Sequence, residues 1–118
     1  MARRVPFISR EVYPMLRVEF HDAAGVTFVR MEGRLVGKFA EDTRELILRH
    51  DFPSKLVVNL SDVSFVDATG EQALSCFSRI GVRFIAENAY SRNVCERLRL
   101  PLAPPLSVAG SYQKPRLR

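Results

Sequence analysis

The chain has 118 residues, of which 47% are hydrophobic and 26% are charged, an ordinary composition for one globular domain. No apolar run approaches the roughly 20 residues that a membrane-spanning helix needs. The net charge of +5 is confined to the two ends, because residues 16–102 contain twelve basic and twelve acidic side chains. A nucleic-acid-binding surface should carry a basic stripe on its folded elements, so the charge distribution argues against nucleic acid as a partner.

The amino-terminal segment and the cysteines both favour a cytoplasmic protein. Residues 1–10, "MARRVPFISR", are charged like a signal peptide but lack the apolar core that follows in one. Cys76 and Cys95 belong to no Cys-x-x-Cys pair or Cys/His cluster. We expect both to be reduced, although a disulfide between them remains an alternative.

The first third of the chain predicts an arm and a hairpin. Residues 1–14 contain two prolines and show no clear period, which indicates an arm. Residues 16–20 alternate apolar and charged side chains, as a half-buried strand does. "HDAAG" is a turn signal, and "VTFVRME" is a second β-rich run, so the two runs are expected to pair. Gly33 and Gly37 are expected to interrupt the strand pattern.

A helix and a buried strand are predicted next. Residues 38–50 place their apolar side chains near one helical face, with acidic residues early and basic ones late, as the helix dipole favours. "KLVVNL", residues 55–60, is a continuous apolar run, which is typical of a parallel strand covered on both faces.

The remaining elements alternate in type. Residues 70–80 carry an apolar helical stripe, "VRFIA" is a strand, and residues 91–100 are a helix with Ser91 as its N-cap. Residues 15–102 therefore predict a single small α/β domain of order β-β-α-β-α-β-α, with a mostly parallel central sheet packed by helices. The basic, proline-rich tail, residues 103–118, is expected to be partly disordered.

The stretch "FVDATGEQAL" places polar residues where a strand gives way to a helix. Thr69 and Gln72 have the spacing of a capping box, in which the threonine hydroxyl accepts from the third helical amide. Glu71 would add dipole support, Asp67 can accept from amides of its own turn, and Gly70 permits close backbone approach. A second interpretation uses the same physics. A helix amino terminus stabilises anions, so the Thr69 hydroxyl is a favourable place for phosphate.

These residues resemble the STAS domain of bacterial anti-sigma-factor antagonists. The resemblance runs from residue 16 to about residue 102 and rests on the hairpin, "MEGRL", "KLVVNLSDVSFVDATG" and the short helix after "VRFIA". It implies a non-catalytic regulatory domain that binds a protein partner. In the antagonists, an anti-sigma factor that is also a serine/threonine kinase phosphorylates the second hydroxyl position of the motif, and a phosphatase reverses the modification.

Carried over residue by residue, the resemblance implies Thr69 as the phosphoacceptor, with Asp67 and Gly70 at the acidic and glycine positions of the motif. Ala68 stands where the family often has its first serine, and Glu71 adds a negative charge beside the site. A homodimer is compatible with this prediction. The expected partner-binding surface comprises Gly33, Arg34, Leu35, Val36, Lys38 and Gln72.

Two other hypotheses remain. The domain could be a constitutive scaffold or a transporter-associated STAS module in which Thr69 only caps a helix. It could instead be a nucleic-acid or membrane-surface binder that uses its basic tails. An enzyme has the least support, because no nucleophile–base set can be assembled. No metal or cofactor is expected, since His21 and His50 lack metal-ligand spacing and Gly33 and Gly37 form no nucleotide-binding loop.

Overall fold

A computed structural model of the chain describes residues 10–12 and 16–104. Residues 1–9, 13–15 and 105–118, which include most of the predicted arm and tail, lie outside the described residues. The elements, in chain order, are β1 Arg10–Val12, β2 Leu16–Ala23, β3 Val26–Leu35, α1 Gly37–Leu48, a 3-10 turn Pro53–Lys55, β4 Leu56–Val66, α2 Ala68–Arg79, β5 Arg83–Ile85 and α3 Ala89–Leu98.

The strands form one sheet in the order β1-β2-β3-β4-β5. β1, which lies within the predicted arm, pairs antiparallel with β2, and β2 pairs antiparallel with β3. β3, β4 and β5 are parallel neighbours, connected through α1 and α2. The predicted hairpin and the predicted α/β alternation are therefore confirmed, and the sheet gains one short edge strand that the sequence did not indicate.

The core lies between one face of the sheet and the helices. Alternate residues of β2, β3 and β4 are fully buried, and they form one cluster with apolar side chains of all three helices. The prediction that β4 is covered on both faces was wrong, because Val57 and Asn59 point to the other face and are only partly buried. That face carries a charge network in which Arg30 approaches Glu19 and Asp62 at 3.7 and 2.8 Å.

β3 and β4 both run further than their sequence patterns indicate. Gly33 was expected to interrupt the strand, but it adopts a φ of 113° within β3, beside an irregularity in the pairing with β4. The strand absorbs the glycine as a local bulge and continues to Leu35. β4 similarly continues through "SDVSFV" to Val66, which pairs with Leu35. As a result, α1 and α2 begin side by side at one edge of the sheet.

The start of α3 also differs from the prediction. Ser91 was expected to be the N-cap, but the helix begins at Ala89 and Asn88 is its cap. The Asn88 side chain accepts from the Ser91 amide at 2.8 Å, while Ser91 is buried at the third helical position and completes a capping box. Asn88 is the last residue with extended backbone before the helix, so its side chain is the one that can cap the third helical amide.

Candidate functional site

The carboxylate of Asp67 joins the amino termini of α1 and α2. One oxygen, Oδ1, accepts from the Gly70 amide at 2.8 Å and caps α2. The other, Oδ2, accepts from the Gly37 amide at 3.0 Å, and Gly37 is the first residue of α1. These amides belong to the helical turns whose N–H groups lack intrahelical partners. Asp67 therefore provides a hydrogen-bond acceptor to the first turn of both helices and ties the two amino termini together.

Gly70 lies where no other residue fits. A Cβ at this position would lie 2.3 Å from the carbonyl oxygen of Leu35 and 2.7 Å from a methyl carbon of Val66. The first turn of α2 is thus pressed against the ends of β3 and β4. The predicted close approach of the backbone at this glycine is present in the structure.

Thr69 is not the cap of α2. The helix begins at Ala68, earlier than predicted, so Thr69 occupies the second helical position. The predicted capping box with Gln72 was wrong because the Asp67 carboxylate, which is nearer the strand end, takes the third helical amide. Within the described part of the chain, the Thr69 side chain makes no hydrogen bond, and the residue is partly exposed. Its hydroxyl is therefore available at the start of a helix that another residue already caps.

Glu71, the acidic neighbour of the site, is turned toward α3. Its carboxylate forms an ion pair with Arg97 at 2.8 Å. The pair is partly exposed, so its effect on stability is about 0–1 kcal/mol. The pair also changes the local charge, because Arg97 offsets the negative charge of Glu71 two residues after Thr69.

Thr69 opens onto a groove between α1 and α2, which we call the α1–α2 groove. It is lined by Ala40, Glu41, Arg44, Thr69, Gln72, Ala73, Cys76 and Arg79. The two helices pack side by side along it, and the small side chains of Ala40 and Ala73 form its buried floor. A second depression shares Gln72 and Arg79 with this groove and extends around α2 to Ala68, Glu71, Ser75 and Leu98. Thr69 and Glu71 therefore face different sides of the helix.

The fold has solved counterparts. The chain is similar to an anti-sigma factor antagonist from Mycobacterium paratuberculosis, with a TM-score of 0.65 and 24% identity over 80% of this chain and 90% of that chain. This chain has the fold of the anti-sigma factor antagonists. The antagonist SpoIIAA, in its unphosphorylated form, is similar with a TM-score of 0.54 and 16% identity, over 81% of this chain and 86% of that chain.

The antagonist fold agrees with the fold that the STAS resemblance implied. The likeness is one of structure, since no family model matches the sequence. No curated protein matches it either. Among the described residues, no helix is both long and apolar enough to cross a lipid bilayer.

Within the antagonist fold, most of the predicted partner surface lies together at the sheet edge that holds Thr69. Arg34 and Lys38 are exposed, and Val36 is partly buried as the residue that precedes α1. Leu35 is fully buried, so its side chain cannot belong to that surface. Its position was misjudged because β3 continues through Gly33 and turns Leu35 into the core. Gln72 is exposed beside the α1–α2 groove, and Gly33 is partly buried in β3.

The structure adds residues to this edge that sequence reasoning did not select. Phe65 is 44% exposed and lies under the guanidinium of Arg34, 5.3 Å from the ring centroid to Arg34 Cζ. Tyr90 of α3 accepts a hydrogen bond from the Val66 amide at 2.8 Å, next to the Asp67 turn. The sequence signal for Phe65 was a phenylalanine at an outward-facing position of a β-rich run. The position of Tyr90 depends on how α3 packs, which the local sequence does not indicate.

The two cysteines are the thiol side chains of the helices beside the site. Cys76 and Cys95 are both free thiols. Cys95 is buried in α3, and this burial raises the pKa of its thiol to about 11. Cys76 is partly exposed in the α1–α2 groove. No group of three or more histidine, cysteine or acidic residues that could hold a metal ion occurs in the described ranges, 10–12 and 16–104.

Proposed function

We propose that this protein is a non-catalytic regulatory domain that acts as an anti-sigma factor antagonist and is switched by phosphorylation of Thr69. One observation carries the proposal. Asp67 caps α2, so the Thr69 hydroxyl stands unused and partly exposed in the first turn of that helix. The similarity to antagonist folds supports the class of partner.

The chemistry of the switch is a phosphoryl transfer from ATP by a partner kinase. The oxygen of the Thr69 hydroxyl attacks the γ-phosphorus, ADP leaves, and the hydroxyl proton is released to the kinase or to solvent. The product carries about −1.5 to −2 charge at neutral pH. The amino terminus of α2 favours that charge, and Arg97 offsets Glu71. Because the reaction consumes ATP, the proposal assigns the protein to the cytoplasm.

The proposed contact face, which we call the switch edge, comprises exposed side chains at the end of the sheet where α1 and α2 begin. Arg34 contributes positive charge and Phe65 an aromatic ring, and Lys38 lies on the same edge paired with Asp42. Ala68 and Gln72 are exposed and leave access to the turn. A partner that fits this edge presents acidic groups, so phosphate at Thr69 would repel it. The partners proposed are an anti-sigma factor with serine/threonine kinase activity and a phosphatase that restores the hydroxyl.

Phosphopeptide mass spectrometry tests the modification. The chain is incubated with ATP and kinases encoded beside its gene, together with the variants Thr69→Val and Thr69→Ser. Phosphate is expected at residue 69 in the wild-type and Thr69→Ser chains and at no residue in Thr69→Val. Ser64→Ala is the matched control, since Ser64 is another exposed hydroxyl near this edge. Phosphate found only at other residues, or none at all, rules the switch out.

A binding titration separates the switch from a constitutive scaffold. Thr69→Glu should weaken partner affinity about tenfold or more, a free-energy change of about 1.4 kcal/mol. Ser54→Glu adds the same charge at an exposed position that precedes β4, at the end of the strand opposite the switch edge, and should leave the affinity unchanged. If Thr69→Glu binds the partner as tightly as wild type, the domain is a constitutive module and Thr69 is not its switch.

A further inference from the structure

We propose that the α1–α2 groove receives the phosphate of modified Thr69, which Arg44 binds directly while Arg79 supplies a second positive charge. The phosphorylated turn would thereby be held against the domain's own helices. This inference rests on the proposed function, because it concerns the state that phosphorylation of Thr69 creates. Phosphorylation would add the same negative charge to a hydroxyl with no basic groove beside it, so binding of the phosphate by the groove is a separate property.

The charges around the groove favour an added anion. Arg44 of α1 and Arg79 of α2 both line it. Neither forms an ion pair with a carboxylate among the described residues. Two guanidinium groups from different helices thus share one depression, and neither is bound to a carboxylate of the described ranges.

Most of the neighbouring carboxylates are engaged by other groups. Glu41 is the one carboxylate among the residues that line the groove. Asp67 is engaged by two backbone amides, and Glu71 pairs with Arg97 on the far side of α2. Asp42 is occupied by Lys38 at 3.2 Å. The thiol of Cys76 is the remaining titratable group in the groove.

Helix geometry determines which arginine is nearer. The starts of α1 and α2 are joined through Asp67, so positions along the two helices can be compared from a common origin. Arg44 lies seven residues beyond Gly37 and Thr69 lies one residue beyond Ala68. The two positions therefore differ by about six residues, or about 9 Å along the axes at 1.5 Å per residue. Long helical side chains point back toward the amino terminus, which brings the Arg44 guanidinium toward the level of Thr69. Arg79 lies ten residues beyond Thr69, about 15 Å along α2, so its contribution is the longer-range one.

A chemically installed phosphate tests the groove without any kinase. Phosphothreonine is incorporated at position 69 during translation, and the titration of its phosphate is followed by phosphorus NMR. The second pKa of a phosphate monoester is about 6, and a phosphopeptide with the sequence of residues 65–74 gives its unfolded reference. Nearby cations stabilise the dianion and lower this pKa. We expect the midpoint in the folded chain to lie at least about half a pH unit below that of the peptide.

Substitutions then assign the shift to the groove. Arg44→Gln should return the midpoint most of the way to the peptide value, Arg79→Gln should return it partly, and Arg44→Lys should retain much of the shift because it keeps the charge. Arg83→Gln is the matched control, since Arg83 is exposed on β5 and does not line the groove. Circular dichroism of each variant verifies that the domain is folded.

The outcomes distinguish the groove from the switch. The groove proposal is overturned if the phosphate midpoint is the same in the Arg44→Gln and Arg83→Gln chains. It is also overturned if the midpoint of the folded wild-type chain equals that of the peptide. Either result counts even if a kinase does modify Thr69. A lowered midpoint that Arg44→Gln abolishes supports it. If the kinase experiment fails while this shift is present, the proposed function fails and the anion-binding property of the groove stands.

Discussion

The amino termini of α2 and α3 are capped in the same way, but the hydroxyl in the first turn is partly exposed in α2 and buried in α3. Each helix is capped by an Asx side chain that accepts from the third helical amide at 2.8 Å, Asp67 in α2 and Asn88 in α3. Each also has a hydroxyl residue within its first turn, Thr69 and Ser91 respectively. Local sequence would assign the two hydroxyls similar roles.

Tertiary contacts make the two hydroxyls different. Ser91 is 1% exposed, and its hydroxyl is engaged with the Asn88 side chain at 2.8 Å. The Asn88 amide group also donates to the carbonyl of Ser61, so the side chains of Asn88 and Ser91 are both engaged inside the domain. Thr69 has no such partner in the described ranges and opens onto a groove. A hydroxyl at a helix start is thus a candidate site when another residue does the capping and the packing leaves the hydroxyl at the surface.

The largest expected effect tests how tightly the α2 start is pressed against the sheet. Gly70→Ala should destabilise the domain by about 3 kcal/mol or more, because the new methyl group meets a backbone oxygen that cannot easily move. Gly25→Ala is the control: it has a φ of 79° but nothing within 4 Å of the added Cβ, so strain alone should cost about 1–2 kcal/mol. Urea unfolding measures both. Equal losses would contradict the close approach.

The cysteines extend the comparison between α2 and α3. Only the thiolate reacts with iodoacetamide, and burial raises the pKa of the Cys95 thiol to about 11. At pH 8, Cys95 should therefore be alkylated about a hundredfold or more slowly than an exposed thiol with the usual pKa of about 8.5.

Cys76, which opens onto the α1–α2 groove, should be labelled first. The Cys95 rate should rise about tenfold per pH unit until the pH nears its pKa. Peptide mass spectrometry at several times assigns each label, and a Cys76→Ser chain should show only the slow phase. Labelling of Cys95 at the same rate as Cys76 would contradict the burial of α3.

The link between α1 and α2 has a smaller expected effect. Asp67→Ala removes the acceptor for the amides of Gly37 and Gly70, and we expect a loss of about 2 kcal/mol. Asp67→Asn keeps one acceptor oxygen for the α2 cap but turns an amide nitrogen toward the other helix, so its loss should be about half as large. Thermal or urea unfolding compares them. If Asn and Ala are equally destabilising, the cap and the α1 contact do not act separately.

The smallest effect compares the two hydroxyls directly. Ser91→Ala should cost about 1 kcal/mol, because it leaves the polar groups of a buried turn without a partner. Thr69→Val, a change of similar shape, should alter stability by less than about 0.5 kcal/mol. A loss in Thr69→Val as large as that in Ser91→Ala would mean that Thr69 has a structural role after all.

Much of the fold follows from local pattern. The alternation in residues 16–20 and the apolar stripe of residues 70–80 correctly predicted β2 and α2, since side-chain period is set by the geometry of a strand or helix. Element ends were less predictable. β3 continued through Gly33 because pairing with β4 on one side and β2 on the other accommodates a bulge there, and this pairing involves residues far away in the chain.

At the candidate site, the sequence by itself determined a polar turn, "DATG", between a buried strand and a helix, with an acidic group, a hydroxyl and a glycine in that order. Only the tertiary structure decided that the Asp67 carboxylate also reaches Gly37 of α1, that Leu35 is buried, and that Arg44 and Arg79 line one groove with Thr69. The reason is physical. Capping and periodicity depend on neighbours a few residues away, whereas these contacts depend on sheet register and helix packing, which bring together groups some thirty residues apart.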